Sequence, residues 1–262
     1  MDGKRDDIET LMSVVSRLEH LFDQLVAGVS KRSQMKEQLP ESRSTIYRGL
    51  DTLIEHGFAY EQDGNYVPTT YGYLVFQTYK QLCSTIESVA DARPLLESNR
   101  CGNELNSSIL VDADIHISEG HAPNAPLQQL TSLLADTDTI HQYLSVVSPY
   151  IIDHFHRQLV NRTLHVEIVS DTLAIDYLTE QFTEKLSDIE IAGTFELYQA
   201  MSDLPFGLII ADGSQPWMSV MMYGQAGNLL GVIINDTPES LEWAEKTYES
   251  VVNEKKSIPI RS

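Results

Sequence analysis

A chain of 262 residues is long enough for two ordinary domains, and 42% hydrophobic residues suffice to bury a core in each. Its 38 Asp and Glu against 18 Lys and Arg leave a net charge of -20, which excludes a uniformly basic nucleic-acid binder and confines any anion-binding surface to a local patch. Two cysteines, Cys83 and Cys101, exclude a disulfide framework or a cysteine zinc site, and no run approaches the roughly 18 apolar residues of a membrane span.

The charged start MDGKRDDIE predicts no secretory leader, so a cytoplasmic protein is expected. A helix is predicted from about Asp6 to Gly28, with Ile8, Leu11, Val15, Leu18, Phe22, Leu25 and Val29 in a heptad seam that Val14 and Leu21 widen. Lys31 to Leu39 makes a short helix ended by Pro40, and Pro40-Glu41 links it tightly to the next. That next helix runs from Ser42 to His56. Ser42 is its N-cap, Gly57 its stop, and Ile46, Leu50, Leu53 and Ile54 share one face. Such spacing is that of a helix-turn-helix. The strands Phe58–Glu61 and Tyr66–Thr69, joined through Asp63-Gly64, add a hairpin and make the unit a winged helix.

On the free face of the second helix Ser42, Arg43, Ser44, Thr45, Tyr47 and Arg48 are candidate contacts to double-stranded DNA, since Arg forks match guanine and phosphate and hydroxyls reach phosphate oxygens. Lys31, Arg32 and Ser33 on the first helix and Asn65 on the wing join them. Residues 1–90 carry net -4 and the remainder -16, but Gly28 to Leu50 is locally +3. The run ESRSTIYRGLDTLIEHGFAYEQDGNYVPTTYGYLV resembles the winged-helix domains of archaeal and bacterial transcription regulators, through Ser-Arg-Ser-Thr-Ile-Tyr-Arg, the Leu50 to Gly57 helix end, and Thr69-x-x-Gly72 after the wing. The resemblance implies sequence-specific DNA binding. The acidic balance with few lysines also resembles proteins of halophilic archaea, for which molar salt screens charge within about 3 Å.

After the wing a helix from about Thr70 to Ala90 carries Val75, Tyr79, Leu82, Ile86 and Val89, so two amphipathic helices flank the DNA-binding unit and a homodimer is expected. Asp91 to Asn106 breaks the periodicity and reads as a linker, giving domains at 1–90 and 107–262. Ser108 to Ser118 alternates in part like a strand, and Pro126 to Ala135 resumes a helix. From Thr139 the order is strand, helix, strand, and a helix over TLAIDYLTEQFTEKL. Four short apolar strands follow, FELYQAM, FGLIIADG, WMSVMMY and LLGVIIND, and then a helix from Pro238 to about Asn253. The fold class is therefore α+β: an N-terminal winged helix-turn-helix followed by an α/β domain with a mixed sheet. The landmarks Ala125-Pro126-Leu127, Val146 to Pro149, His165 to Val169, Glu196 to Tyr198, Leu204 to Leu208 and Trp243 to Glu245 resemble a FilR1-type domain. That resemblance implies a sensor or oligomerisation module in an archaeal regulator.

His121, His141, His154, His156 and His165 cluster in sequence, but His154 and His156 point apart on a helix, so no metal is expected. The outline loosely resembles half of a phospholipase-D fold, yet the His-x-Lys pair is missing, as are phosphate-cradling glycine runs and a nucleophile elbow; no enzyme activity, catalytic residue or cofactor is expected. Ser148, Ser170 and Asp171 fall at the carboxyl ends of two neighbouring strands, where α/β sheets take ligands, although Ser148 and Asp171 are also good helix caps. With Tyr198, Gln199 and Phe206 they are the candidate small-molecule effector site. The resulting reading is a DNA-binding transcription regulator, with a constitutive architectural DNA binder as the alternative.

Overall fold

The computed structural model of the protein describes residues 2–98, 104–134, 137–159, 164–191, 195–200, 205–252 and 256–257. They form two units, Met1–Ile86 and Glu87–Ser262.

In the first unit the expected Asp6–Gly28 helix is two helices, α1 (Asp2–Arg17) and α2 (Glu19–Val26). Leu18 leaves helical geometry at φ -110° and ψ 15°, while its amide still reaches the carbonyls of Val14 and Val15 at 3.1 and 3.2 Å. Burial drives the break: Leu18, Leu21, Phe22 and Leu25 all enter the core, and α2 lies on the later helix α4 (Arg43–Glu55). The contact is close, because a Cβ at Gly49 of α4 would collide with the side chains of Leu21 and Leu18. Gly49 thus takes the inward place expected for Ile54, which is exposed.

Between them, α3 (Arg32–Gln38) buries Met35. Ser42 caps α4 by accepting the Thr45 N–H at 3.2 Å, and Gly57 ends it at φ +70°. The wing is β1 (Ala59–Gln62) against β2 (Asn65–Pro68), closed by a two-residue turn with positive φ at both Asp63 and Gly64, as a type I′ turn requires. Thr69 then starts α5 (Thr70–Asp91): its hydroxyl donates to the Gly57 carbonyl at 2.6 Å and accepts the Gly72 N–H at 2.9 Å. Gly72 sits on the Phe58 backbone, where a Cβ would overlap main-chain atoms. The Thr-x-x-Gly pattern is therefore a joint that seats α5 on the end of α4. Phe22 and Phe76 stack at 4.6 Å beneath it.

The second unit takes in residues expected to be linker. Ala92 and Leu95 are buried and α6 (Arg93–Ser98) is helical, since those two side chains fill a hydrophobic cluster that the loss of periodicity concealed. Cys101 lies outside the described residues. The strand expected over Ser108–Ser118 shrinks to β3 (Asp114–Ile117), because Ser107–Ile109 coils into a 3₁₀ turn that buries Ile109. There follow α7 (Ala125–Leu133), β4 (Thr137–Leu144), α8 (Pro149–Leu159), β5 (His165–Ser170), α9 (Thr172–Gln181) and α10 (Thr183–Ile191). The helix expected over 172–186 is thus interrupted at Phe182. Then come β6 (Phe195–Gln199), β7 (Gly207–Gly213), β8 (Trp217–Tyr223), β9 (Leu229–Asn235), α11 (Pro238–Val252) and the two-residue β10 (Lys256–Ser257).

These strands make one mixed sheet ordered β10-β6-β5-β4-β7-β8-β9-β3, with β4, β5 and β6 parallel and the other pairings antiparallel. Strand residues alternate between two cores. Ile140, Leu144, Ile168 and Ile209 face α7 to α10, and Tyr143, Val169, Leu208 and Ile210 face α6 and α11. Buried Asn235 donates to the carbonyls of Ile109 and Val111 at 3.1 and 2.8 Å and accepts from Thr237 and Ser240, pinning the 3₁₀ turn and the start of α11. Among the described residues no helix is long and apolar enough to cross a membrane.

The joint between α4 and α5 sets an expectation. Gly72→Ala lowers the unfolding free energy by about 2 to 3 kcal/mol, because main-chain atoms cannot yield as a side chain can, and Thr69→Ala lowers it by about 1 kcal/mol. Denaturant titration in molar KCl reads both, and an unchanged midpoint for Gly72→Ala refutes the close approach.

Candidate nucleic-acid interface

The exposed face of α4 carries Arg43, Ser44, Tyr47, Arg48 and Asp51. At its start Ser42 Oγ lies 2.9 Å from both Ser44 Oγ and Thr45 Oγ1, so three hydroxyls cluster at the positive end of the helix dipole. Arg48 donates from Nε to the Ser44 carbonyl at 3.2 Å, which aims its guanidinium along the helix.

Charge pairing separates this region from the rest of the chain. Lys80, Arg93, Lys185 and Lys246 each meet a carboxylate. Among the described residues Arg17, Lys31, Lys36, Arg43 and Arg48 have no acidic side chain within salt-bridge reach. In a chain with twice as many acids as bases, five unpaired cations on one small unit form the surface a polyanion would meet.

The remaining candidates divide by what they touch. Lys31 and Ser33 are exposed at the start of α3. Arg32 is engaged internally: its guanidinium lies 4.5 Å from the Tyr47 ring and 4.9 Å from the Tyr66 ring, and Nη2 is 3.9 Å from Asp51. It joins α3, α4 and the wing. Burial lifts the Tyr66 phenol above its ordinary range, against the opposing charge of Arg32, and the phenol donates to Glu61 at 3.2 Å. Asn65 is likewise engaged, accepting from Ser30 Oγ at 3.1 Å while Tyr66 N–H donates to the Ser30 carbonyl at 2.8 Å. These two residues hold the wing in place. The sequence reading missed Gly49, Thr69 and Gly72 as positioning residues, although an isolated glycine inside a helical pattern is itself a packing signal.

Elsewhere in the first unit α1 and α5 enclose an apolar groove of about 410 Å³ that includes Ile8, Met12, Tyr71, Leu74 and Leu82. Ile8, Leu74 and Ile86 are more than half exposed, so among the described residues of the first unit nothing covers this stripe.

In the second unit Ser170, Asp171, Tyr198 and Gln199 come together at the neighbouring carboxyl ends of β5 and β6, where Ser170 pairs with Gln199 and Val169 with Tyr198, but their polar groups are taken up locally. Ser170 is buried and donates to the Leu144 carbonyl, Asp171 caps α9 by accepting the Ala174 N–H at 2.8 Å, and the Ser148 carbonyl accepts from Ile152 at the start of α8. Gln199 donates to Thr172 at 2.7 Å, and Tyr198 to Glu196 at 3.0 Å. Phe206, expected to line a cavity, is fully buried against Trp243 on the α11 side, because β7 alternation turns it into that core. A cleft of about 210 Å³ lies elsewhere, between β3, α7 and the turn before β8, with Asp112, Asp114, His116, Trp217 and Asp236 among its walls. His121, His141 and His156 each face one carboxylate, at 3.1, 3.7 and 3.0 Å, His165 is exposed, and the His154 side chain lies outside the described residues. Among the described residues no three His, Cys, Asp or Glu gather to hold a metal.

No curated protein matches the sequence. Residues 5–91 match the HVO_A0261 N-terminal domain, and residues 123–254 match the middle domain of the methanogenesis regulatory protein FilR1. Similar solved structures include TrmBL2, described as an archaeal chromatin protein with a novel mode of DNA binding, at 12% identity over 95% of this chain and 99% of that one, with a TM-score of 0.43. The phospholipase D family member Nuc from Salmonella typhimurium is similar at 15% identity over 58% and 100%, with a TM-score of 0.44, and NucT from Helicobacter pylori at 11% over 56% and 99%, with 0.43. These likenesses are too distant to transfer a residue or an activity. The family match spans half of the chain and carries through the parallel strands β4, β5 and β6 to α11: the chain belongs to the FilR1 middle-domain family.

Proposed function

We propose that the protein is a sequence-specific, double-stranded-DNA-binding transcription regulator of archaeal type, acting in the cytoplasm as a homodimer, without enzymatic activity, and with a second unit that takes a small-molecule effector. The observation that carries the DNA reading is the set of unpaired cations on the helix-turn-helix of a strongly acidic chain. Arg43 and Arg48 read base edges in the major groove, the hydroxyls at the start of α4 meet phosphate, and Arg32 holds the reading helix to the wing. Family membership supports the regulatory role. The uncovered groove between α1 and α5 supports the dimer, since a second copy buries the same stripe that it offers. At high salt counterion release is a weak drive, so the direct contacts of α4 carry more of the affinity.

A constitutive DNA binder is the second reading, and one observation favours it: Ser170, Asp171 and Gln199 are all engaged within the second unit.

Three measurements test these readings. Arg43→Ala or Arg48→Ala weakens binding to a duplex selected by the wild-type protein by about 1 to 3 kcal/mol and relaxes base preference. Arg32→Gln lowers both affinity and melting temperature, as a residue that positions α4 must; full affinity in all three variants overturns the assignment. Leu74→Glu or Leu82→Glu reduces the mass seen by light scattering in molar KCl, and a wild-type protein that is already monomeric ends the dimer reading. For the effector, a metabolite screen by thermal shift identifies compounds that bind the native state, which at 100 times the dissociation constant stabilise by about 2.7 kcal/mol. A screen without any stabilising compound favours the constitutive reading.

A further inference from the structure

Between α2 and α4 lies a cleft of about 440 Å³ whose walls include Arg17, His20, Glu41, Thr45, Arg48 and Thr52. We propose that this cleft seats a DNA backbone phosphate held by Arg17, beside the base-reading Arg48. The inference rests on the DNA-binding reading and adds to it a contact that neither helix of the helix-turn-helix supplies alone.

The site is a product of the break at Leu18. A continuous helix would carry the chain straight on from Arg17. The break instead lays α2 on Gly49, whose missing side chain leaves room for Leu18 and Leu21, and this brings Arg17 and His20 beside Arg48. Among the described residues neither Arg17 nor Arg48 has an acidic partner, and Arg48 is oriented by its bond to the Ser44 carbonyl. Glu41, the acid among these walls, is met by His20 at 3.1 Å, and Lys36 donates to its backbone carbonyl at 3.0 Å. Two cations, Arg17 and Arg48, therefore share the cleft with one carboxylate, which His20 meets through Oε1 while Oε2 is buried without a hydrogen-bond partner among the described residues. The guanidinium fork of Arg17 suits the two free oxygens of a phosphodiester.

The position gives the contact its role. Residues such as Arg43 and Tyr47 lie on the part of α4 free to enter a groove, whereas Arg17 lies on the flank, where the strand bordering that groove passes. A phosphate held there fixes the depth and register of α4 without reading sequence.

The experiment uses the full-length protein, a duplex that the wild-type protein enriches from a random pool, and an unselected duplex of equal length. Arg17→Ala is expected to weaken binding to both by the same factor, roughly five- to tenfold, and to make the slope of log affinity against log salt shallower by about one. Arg17→Lys restores most of the affinity and Glu41→Gln strengthens binding. Base preference and melting temperature stay as in the wild type. Replacing one phosphate at a time with a neutral methylphosphonate identifies the partner: at one position the substitution weakens the wild type, and Arg17→Ala suffers no further loss. Unchanged affinity and slope for Arg17→Ala, while Arg43→Ala still weakens binding, overturn the cleft and leave the DNA reading standing. A change in base preference for Arg17→Ala also overturns it, by making Arg17 a reader. If the wild-type protein enriches no duplex, the DNA-binding reading fails and this inference with it.

Discussion

One face of α4 stays bare while the helix is held from both flanks by contacts that leave that face free. On one flank Gly49 lets Leu18 and Leu21 approach to van der Waals distance. On the other, Arg32 lies against Tyr47 and Tyr66, so α4 and the wing share one cation. At the far end, the Thr69 hydroxyl and the bare Cα of Gly72 fasten α5 to the end of α4. Each contact works by close approach or aromatic stacking rather than by surface ion pairing, which salt would screen. Tyr47 belongs both to the bare face and to the holding contacts, lying on the exposed face of α4 while it carries the Arg32 guanidinium.

The second unit is built on another logic. Its sheet is covered on both faces, and its polar groups are mostly consumed by the fold, with Asn235 serving four backbone and side-chain partners and Asp171 capping a helix. Exceptions lie in the layer under α7 to α10. Gln142 and Ser219 are fully buried, and among the described residues the amide of the first and the hydroxyl of the second meet no hydrogen-bond partner. Each such group costs roughly 1 to 3 kcal/mol. A sheet that tolerates this draws its stability from the large aliphatic clusters on its two faces.

What the sequence disclosed followed from how local each signal is. Asp63-Gly64 announced the hairpin because few residue pairs accept two positive φ values, and Ser42 and Gly57 marked α4 at both ends for comparable reasons. The parallel and antiparallel strands were legible as apolar runs between turn residues. The break at Leu18 was not, since no proline or glycine marks it and the heptad pattern runs straight through; only packing against Gly49, thirty-one residues later in the chain, produces it. Arg32 looked like a phosphate contact because its neighbours in sequence are polar, whereas its neighbours in space are Tyr47 and Tyr66. Phe206 was misplaced by one step of strand alternation, which no composition reveals.

The divided first helix also separates two tasks along the chain. The uncovered apolar stripe belongs to α1, through Ile8 and Met12, while the packing against the reading helix belongs to Leu18 and α2. Substitutions on the two rods touch different partners, so their energetic effects should add rather than couple. The exposed stripe can then change its side chains while the packing of α2 on α4 keeps its own.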